Sequence, residues 1–297
     1  MSTTKTDISN WFKFLQDSIC AGLESLDGKG SFIEDAWNRD EGGGGRTRTF
    51  KGGNLIEKGG VNYSAVHGPT PEKILSALGL EKSDFYATGV SIVLHPNNPW
   101  VPIIHMNVRY FEMSNGIWWF GGGIDLTPHI IVEEKAKSFH KILKQACDNH
   151  SSDYYPKFKK WADDYFYLSH RKETRGIGGI FFDRLKDDGN FSKEDRWNFV
   201  KEIGSTFIPI YTDAVENLRS KSYSEDELNW QRLRRGRYVE FNLVHDKGTK
   251  FGLDTDGRTE SILVSMPPQA TWEYNHDPSK SSFKNTLSLL KKGVDWV

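Results

Sequence analysis

Between Gly89 and Pro128 the chain carries three β-type stretches in succession: Gly89–Leu94, Ile103–Phe111 and Ile117–Phe120. Only short loops separate them, too short for a crossover helix. Strands joined so closely pair antiparallel, because parallel neighbours need a connection of about a dozen residues or more. Upstream, Trp37–Ser64 is punctuated by Gly42–Gly45, Gly52-Gly53 and Gly59-Gly60, which is hairpin chemistry. Strands in clusters, rather than in strict alternation with helices, favour an α+β layout: a large, mainly antiparallel sheet with helices on both faces.

The helical signals lie mostly outside this block. Ile8–Leu26 has apolar residues at helical spacing, with Asp7 or Ser9 as a cap. Pro71–Leu78, Glu133–Asn149, Pro156–Ser169, Asp195–Ser220 (bent at Pro209), Glu225–Arg235 and Ser282–Lys292 read as further helices. Ile177–Phe182 reads as a buried strand, Arg237–Val244 as a half-buried strand and Glu260–Met266 as another strand. No repeat or low-complexity linker divides the 297 residues, so residues 1–297 are taken as one domain. A chain of that size buries roughly three quarters of its unfolded surface and needs no disulfide or metal staple.

Composition narrows the function. Lys+Arg 39 against Asp+Glu 40 leaves a net charge of -1, which argues against a nucleic-acid binder or a polybasic membrane anchor. No apolar run reaches the length of a membrane span, and the first ten residues lack a signal core. Cys20 and Cys147 have no partner at metal-site or redox spacing and read as reduced thiols. The expectation is a soluble, cytoplasmic protein.

Four segments carry candidate chemistry. In Ile103–Phe111, His105, Asn107 and Arg109 share one strand face by period-2 alternation, presenting an imidazole, an amide and a fixed cation together. That suits a bound carboxylate with proton transfer nearby; a solvated polar row is the plain alternative. Trp118–Phe120 leads into Gly121–Gly123 and then Asp125, where the glycines let a ligand approach the backbone. Asp125 alone also reads as a turn residue. Arg175-Gly-Ile-Gly-Gly loosely imitates a dinucleotide fingerprint but leads into a strand, so that reading fails on context. Finally Arg232, Arg234, Arg235, Arg237 and Arg258 cluster among aromatics. They suit a ligand with several carboxylates, or else salt bridges to Glu240, Asp246 and Glu260. Nine histidines offer no His-x-His or His-Glu-x-x-His spacing.

Taken together these segments resemble the oxygen-dependent coproporphyrinogen III oxidases. The resemblance runs from about Trp37 to Val297. It rests on Gly89-Val-Ser-Ile-Val-Leu-His-Pro, His105-x-Asn-x-Arg-Tyr-Phe-Glu, Trp118-Trp-Phe-Gly-Gly-Gly-x-Asp-Leu-Thr-Pro, Arg175-Gly-Ile-Gly-Gly-x-Phe-Phe-Asp, Arg235-Gly-Arg-Tyr-Val-Glu-Phe-Asn-Leu-Val and Ser261-Ile-Leu-Val-Ser-Met-Pro-Pro. It implies a flat antiparallel sheet between helices and a homodimer with contacts from about Tyr238 to Glu273. It implies conversion of two propionates of coproporphyrinogen III to vinyl groups, giving protoporphyrinogen IX, CO2 and H2O2. Molecular oxygen is the co-substrate, with no flavin, haem or nicotinamide required and a divalent metal not expected. The implied substrate-binding residues are Ser91, Asn107, Val108, Arg109, Asp256, Gly257 and Arg258. His105 is the implied proton donor, with Asp125 and Asp246 at the site. An alternative in the family places a metal on His95, His105, His140 and His170. Two departures stand out. Lys247 replaces the usual arginine, which weakens any bidentate carboxylate role there. His129 and His245 receive no role.

Overall fold

A computed structural model of the chain describes residues 3–70, 75, 81–254, 257–277 and 282–297. The helix expected over Pro71–Leu78 and the candidate Asp256 therefore lie outside the described residues, apart from Leu75.

Helix α1 (Lys5–Asp27) starts at a capping box in which Thr4 and Asp7 bond each other's backbone, and ends at Gly28 in the left-handed conformation. Ile8, Phe12, Leu15, Ile19 and Leu23 form its buried stripe. The strands follow: β1 (Ile33–Asn38), β2 (Gly43–Lys51), β3 (Ile56–Pro69), β4 (Asp84–Pro96), β5 (Ile103–Met113) and β6 (Trp118–Thr127). Helices α2 (Glu133–Asp148) and α3 (Tyr154–Tyr165) and the small ribbon of β7 (Tyr167–Leu168) and β8 (Glu173–Thr174) precede β9 (Gly178–Leu185). Then come α4 (Lys193–Val215), α5 (Glu225–Glu240), a π-helical turn (Phe241–His245), α6 (Lys247–Asp254), α7 (Thr259–Leu263) and α8 (Lys284–Leu289).

Seven of these strands form one sheet in the order β1-β2-β3-β4-β5-β6-β9, and every neighbour is antiparallel. Helix α1 packs on β3 and β4, and α4 on β5 and β6. Alternation divides the sheet's side chains. Val90, Ile92, Leu94, Ile104, Met106, Val108, Phe120, Ile124 and Phe182 point into this helical layer and are buried. The opposite face carries the polar residues and is partly covered by α7, whose Val264 end abuts Gly60 and whose Ser261 bonds Thr47 and Asn62. The α+β layout with helices on both faces is observed.

Two expected strands are helical. Arg237–Val244 continues α5 and passes into the π turn. Its buried residues Arg234, Tyr238 and Asn242 repeat every four, as do Arg237 and Phe241, so the contacts follow a helix although the apolar letters alternate. Glu260–Met266 contains α7 instead of a strand. A short apolar run does not distinguish the two by period alone. The helix over Pro156–Ser169 stops at Tyr165 because Tyr167 and Leu168 pair with Thr174 and Glu173. Gly43–Gly45 lie within β2. Helix α4 continues through Pro209.

Candidate active site

The open face is ordered in cross-strand rows. One row reads Asp35, Thr47, Asn62, Ser91, Asn107, Gly123 and Phe181. A second runs Gly60, Val93, His105, Asp125 and Gly179. A third runs Ser64, Gly89, Arg109 and Gly121, with Asp183 beside it. The pleat thus brings Ser91, His105, Asn107, Arg109 and Asp125 together, as their two-residue spacing predicts.

Within the second row, His105 Nδ1 donates to Asp125 Oδ1 at 2.7 Å. Arg175 Nη2 donates to the other oxygen, Oδ2, at 2.6 Å. Asp125 and Arg175 are buried, with side chains 2% and 3% exposed, whereas the His105 side chain is 22% exposed. Arg175 is itself caged by the rings of Phe166, Tyr238 and Phe241 at 4.4, 4.7 and 4.7 Å, and bonds Asn242 Oδ1 at 3.0 Å. Burial pushes the Asp125 carboxyl up, but the Arg175 charge and the His105 hydrogen bond outweigh it and hold it below the ordinary carboxylate range. A carboxylate on Nδ1 fixes the imidazole tautomer and orientation. Nε2 has no partner among the described residues.

Both Asp125 oxygens accept a hydrogen bond and its side chain is 2% exposed, so within this row it is the His105 ring that is presented to the open face. Arg175, the residue that sequence reasoning passed over, completes the chain of charge. Its signal was a cation directly ahead of a buried strand, which the glycine spacing disguised.

In the third row, Arg109 donates to Asn107 Oδ1 (2.7 Å) and to Asp183 Oδ1 (2.9 Å), and its side chain remains 36% exposed. Gly121 makes this possible. A Cβ there would sit 2.5 Å from Asp183 Oδ1 and 2.8 Å from Arg109 Nη2. Beyond Gly123 stand Phe181 and Tyr165, stacked at 4.3 Å, and the Tyr165 hydroxyl donates to Asp246 at 2.8 Å. Asp246 also caps the Thr249 amide at 2.7 Å. It therefore stands behind the aromatic wall. Lys247 enters through its backbone, whose N–H donates to the Tyr165 hydroxyl (3.3 Å).

Other candidates are placed elsewhere. Val108 has its side chain fully buried in the helical layer, on the opposite pleat from its neighbours, so toward the open face it presents backbone. Arg258 pairs with Asp35 and bonds Ser261 at 3.2 Å. Asp35 lies on β1, four inter-strand steps from β5, or roughly 19 Å. Gly257 donates to the Gly252 carbonyl at 2.8 Å. Arg232, Arg234, Arg235 and Arg237 pair with Glu225, Glu173, Glu57 and Glu240; Glu240 is one of the salt-bridge partners expected above, Glu225 lies on the same helix, and Glu173 and Glu57 lie far away in sequence.

The four histidines do not converge. His95 is buried and donates from Nε2 to the Ser265 carbonyl (2.8 Å), and burial pushes it down to about 3. His140 lies between the Tyr155 hydroxyl (3.0 Å) and the Ile177 carbonyl (2.9 Å), likewise down to about 3 by burial. His170 joins Glu240 and His245, both at 2.8 Å. Among the described residues, no three His, Cys, Asp or Glu side chains are grouped to hold a metal ion. Cys20 and Cys147 are free and buried.

Comparison with known proteins agrees with this geometry. The sequence model of the coproporphyrinogen III oxidase family matches residues 7–296. The chain is 46% identical, over 95% of its length and 90% of the relative's, to the oxygen-dependent coproporphyrinogen-III oxidase of Prochlorococcus marinus strain MIT 9301. It is 47% identical to coproporphyrinogen-III oxidase 1, chloroplastic, of Arabidopsis thaliana, covering all of this chain and 80% of that one. With agreement along nearly the whole length of both partners, and with the motif residues gathered on one sheet face, the chain belongs to the coproporphyrinogen III oxidase family.

Proposed function

We propose that the chain is an oxygen-dependent coproporphyrinogen III oxidase acting in porphyrin synthesis, with His105 as its proton donor. The observation that carries this reading is the His105–Asp125–Arg175 chain, which opens through one imidazole onto a polar sheet face. The substrate lies on that face over Gly121 and Gly123. Arg109, fixed by Asn107 and Asp183, grips the reacting propionate through the N–H groups it has left, and Ser91 and Asn107 line the floor.

The chemistry balances per propionate. The carboxylate leaves as CO2 and the carbon next to the ring gives up a hydride equivalent, leaving a vinyl group. Oxygen takes the two electrons, and with that hydrogen and one proton becomes H2O2. His105 Nε2 supplies the proton, and Asp125 stabilises the imidazolium that serves as its source. The reduced macrocycle is electron-rich, so oxygen suffices as acceptor, and no resident metal or organic cofactor is part of the proposal. The rest of the work is orientation and exclusion of water.

We further propose a homodimer formed through the segment after α5. Leu243, Val244, Phe251, Leu253, Trp272 and Tyr274 leave apolar surface exposed there, as in a face awaiting a second copy. Sedimentation across a range of protein concentration tests it; a monomer throughout removes the dimer. Among the described residues no helix is long and apolar enough to cross a membrane. The two buried thiols accord with a reducing cytoplasm.

The decisive experiment mixes anaerobic protein with coproporphyrinogen III, adds oxygen and follows product masses. The expected result is stepwise loss of two CO2, only after oxygen, surviving exhaustive chelation. His105→Ala should lower turnover roughly 10²- to 10⁴-fold. Turnover under strict anoxia, or activity restored only by added metal, overturns the proposal.

A further inference from the structure

Two open-face rings continue the candidate site beyond Arg109. By the same alternation, Phe111 on β5 and Trp119 on β6 stand on the open face opposite each other. Their rings stack at 4.2 Å and 22°, and Phe111 stacks in turn on Phe85 of β4 at 6.0 Å and 7°. All three rings are half-buried. They form a shelf one residue pair beyond Arg109 along β5, about 7 Å further along the sheet.

The pairing of β6 with β9 breaks beside this shelf. Gly122 faces Phe182 and Phe120 faces Leu185, so two residues, Asp183 and Arg184, oppose the single Gly121. This is a β-bulge, and Arg184 holds a positive φ of 51° within it. Phe182 and Leu185 both stay in the buried layer, so the extra residue lets the charged pair leave it. Asp183 is consumed by Arg109. Arg184 is exposed and has no ion pair among the described residues. A non-glycine residue kept at a left-handed backbone angle costs free energy that the surrounding fold must offset, and such positions gather at functional sites. Arg184 and Lys186 border an open cavity of about 360 Å³ with Trp118, Trp119 and the Gly116-Ile117 turn; Asp187 also borders it, its carboxylate bound by the Gly189 amide.

We infer that this shelf and Arg184 form a second subsite, which binds a non-reacting pyrrole ring of the substrate by its face and that ring's carboxylate tail by its charge. The inference rests on the tetrapyrrole reading above and names residues that nothing in that reading uses. Stacked aromatics answer a planar, electron-rich ring, and an unpaired guanidinium at their edge answers its carboxylate. The subsite is continuous with the row that holds Arg109, so one macrocycle spans both. Its role is positioning: it fixes which ring is presented to His105.

The test uses the full chain and two probes. Coproporphyrin III, oxidised and unreactive, carries four carboxylates; its tetramethyl ester keeps the rings and lacks the charges. Arg184→Asn tolerates the left-handed backbone and removes the charge. Coproporphyrin III affinity, followed by tryptophan fluorescence quenching, should weaken roughly five- to tenfold, with recovery in Arg184→Lys and relief of the difference at high salt. The tetramethyl ester should bind Arg184→Asn and the parent alike. In steady state KM should rise by the same factor while kcat changes less than about twofold. Trp119→Leu should weaken both probes. Parent-like affinity and KM in Arg184→Asn, in a protein that still turns over coproporphyrinogen III, overturns the subsite and leaves the activity standing. A parent protein that fails to turn over overturns the activity instead.

Discussion

Replacing Arg175 with methionine removes the charge and roughly preserves the volume inside the cage of Phe166, Tyr238 and Phe241. The Asp125 carboxylate then remains in a site where its side chain is 2% exposed, with the His105 imidazole as its one hydrogen-bond donor among the described residues. Charge centres about 4 Å apart attract by about 4 kcal/mol at an effective dielectric near 20. Removing one partner of a buried pair typically costs about 3–5 kcal/mol, because the stranded charge keeps its desolvation penalty. Against a native stability of about 5–15 kcal/mol, that is a large fraction. Urea unfolding followed by circular dichroism should therefore show Arg175→Met less stable by about 3–5 kcal/mol near neutral pH. Lowering the pH should narrow the gap. The native Asp125 carboxyl lies below its unfolded value, so its contribution is present above that value and fades as pH falls through the native one. Asp125→Asn removes the other charge, and the double variant should recover part of the loss, a coupling of at least about 1 kcal/mol in a mutant cycle. A cost below about 1 kcal/mol for Arg175→Met, or strictly additive variants, refutes the view that this pair is a tightly coupled buried unit.

The glycines predict a contrast. Gly121→Ala meets only the ends of Asp183 and Arg109, so the fold should survive while substrate KM rises several-fold. Gly123→Ala would meet the Ile180 carbonyl at 2.6 Å, so it should lower the unfolding midpoint instead; equal behaviour of the two in both assays contradicts this division. His95 and His140 are held neutral down to about 3, whereas the unfolded chain protonates its imidazoles near 6.5. Unfolded protein thus binds more protons between these values, and stability should fall as pH drops from about 6.5 toward 3. A urea midpoint that stays level from pH 7 to 5 contradicts it. Arg258→Ala removes the Asp35 pair at the sheet's far edge and should change stability by less than about 1 kcal/mol; any rise in KM then reports a ligand reaching across from β5.

How much of this was legible in the sequence depended on the range of the interactions. The row of His105, Asn107 and Arg109 could be read because a strand places every second residue on one face, whatever it packs against. Asp125 could be singled out, but its role could not, since both its oxygens are claimed by residues on other elements, His105 and Arg175. Val108 came with the resemblance and not from the alternation, which puts its side chain on the opposite face from Asn107 and Arg109. The arginines of α5 suggested a ligand because Glu57 and Glu173, which pair with two of them, lie far away in sequence. Phe241 and Asn242 were misplaced in a strand because alternating letters imitate one, while the contacts that decide the matter come from Arg175 and the rings around it.

The π turn over Phe241–His245 has a consequence for chain length. It holds one more residue than an α-helix would use for the same advance, and both Phe241 and Asn242 are thereby set against Arg175. Each residue of an α-helix rotates the chain by about 100° and advances it about 1.5 Å. Loss of that one residue would relax the turn to α geometry with the same advance, so Asp246 and α6 would keep their place while Arg175 lost either the Phe241 ring or the Asn242 acceptor. The stretch from Tyr238 to Asp246 is therefore constrained in its residue count as well as in its side chains, because only the turn with its extra residue sets two successive residues against one buried cation.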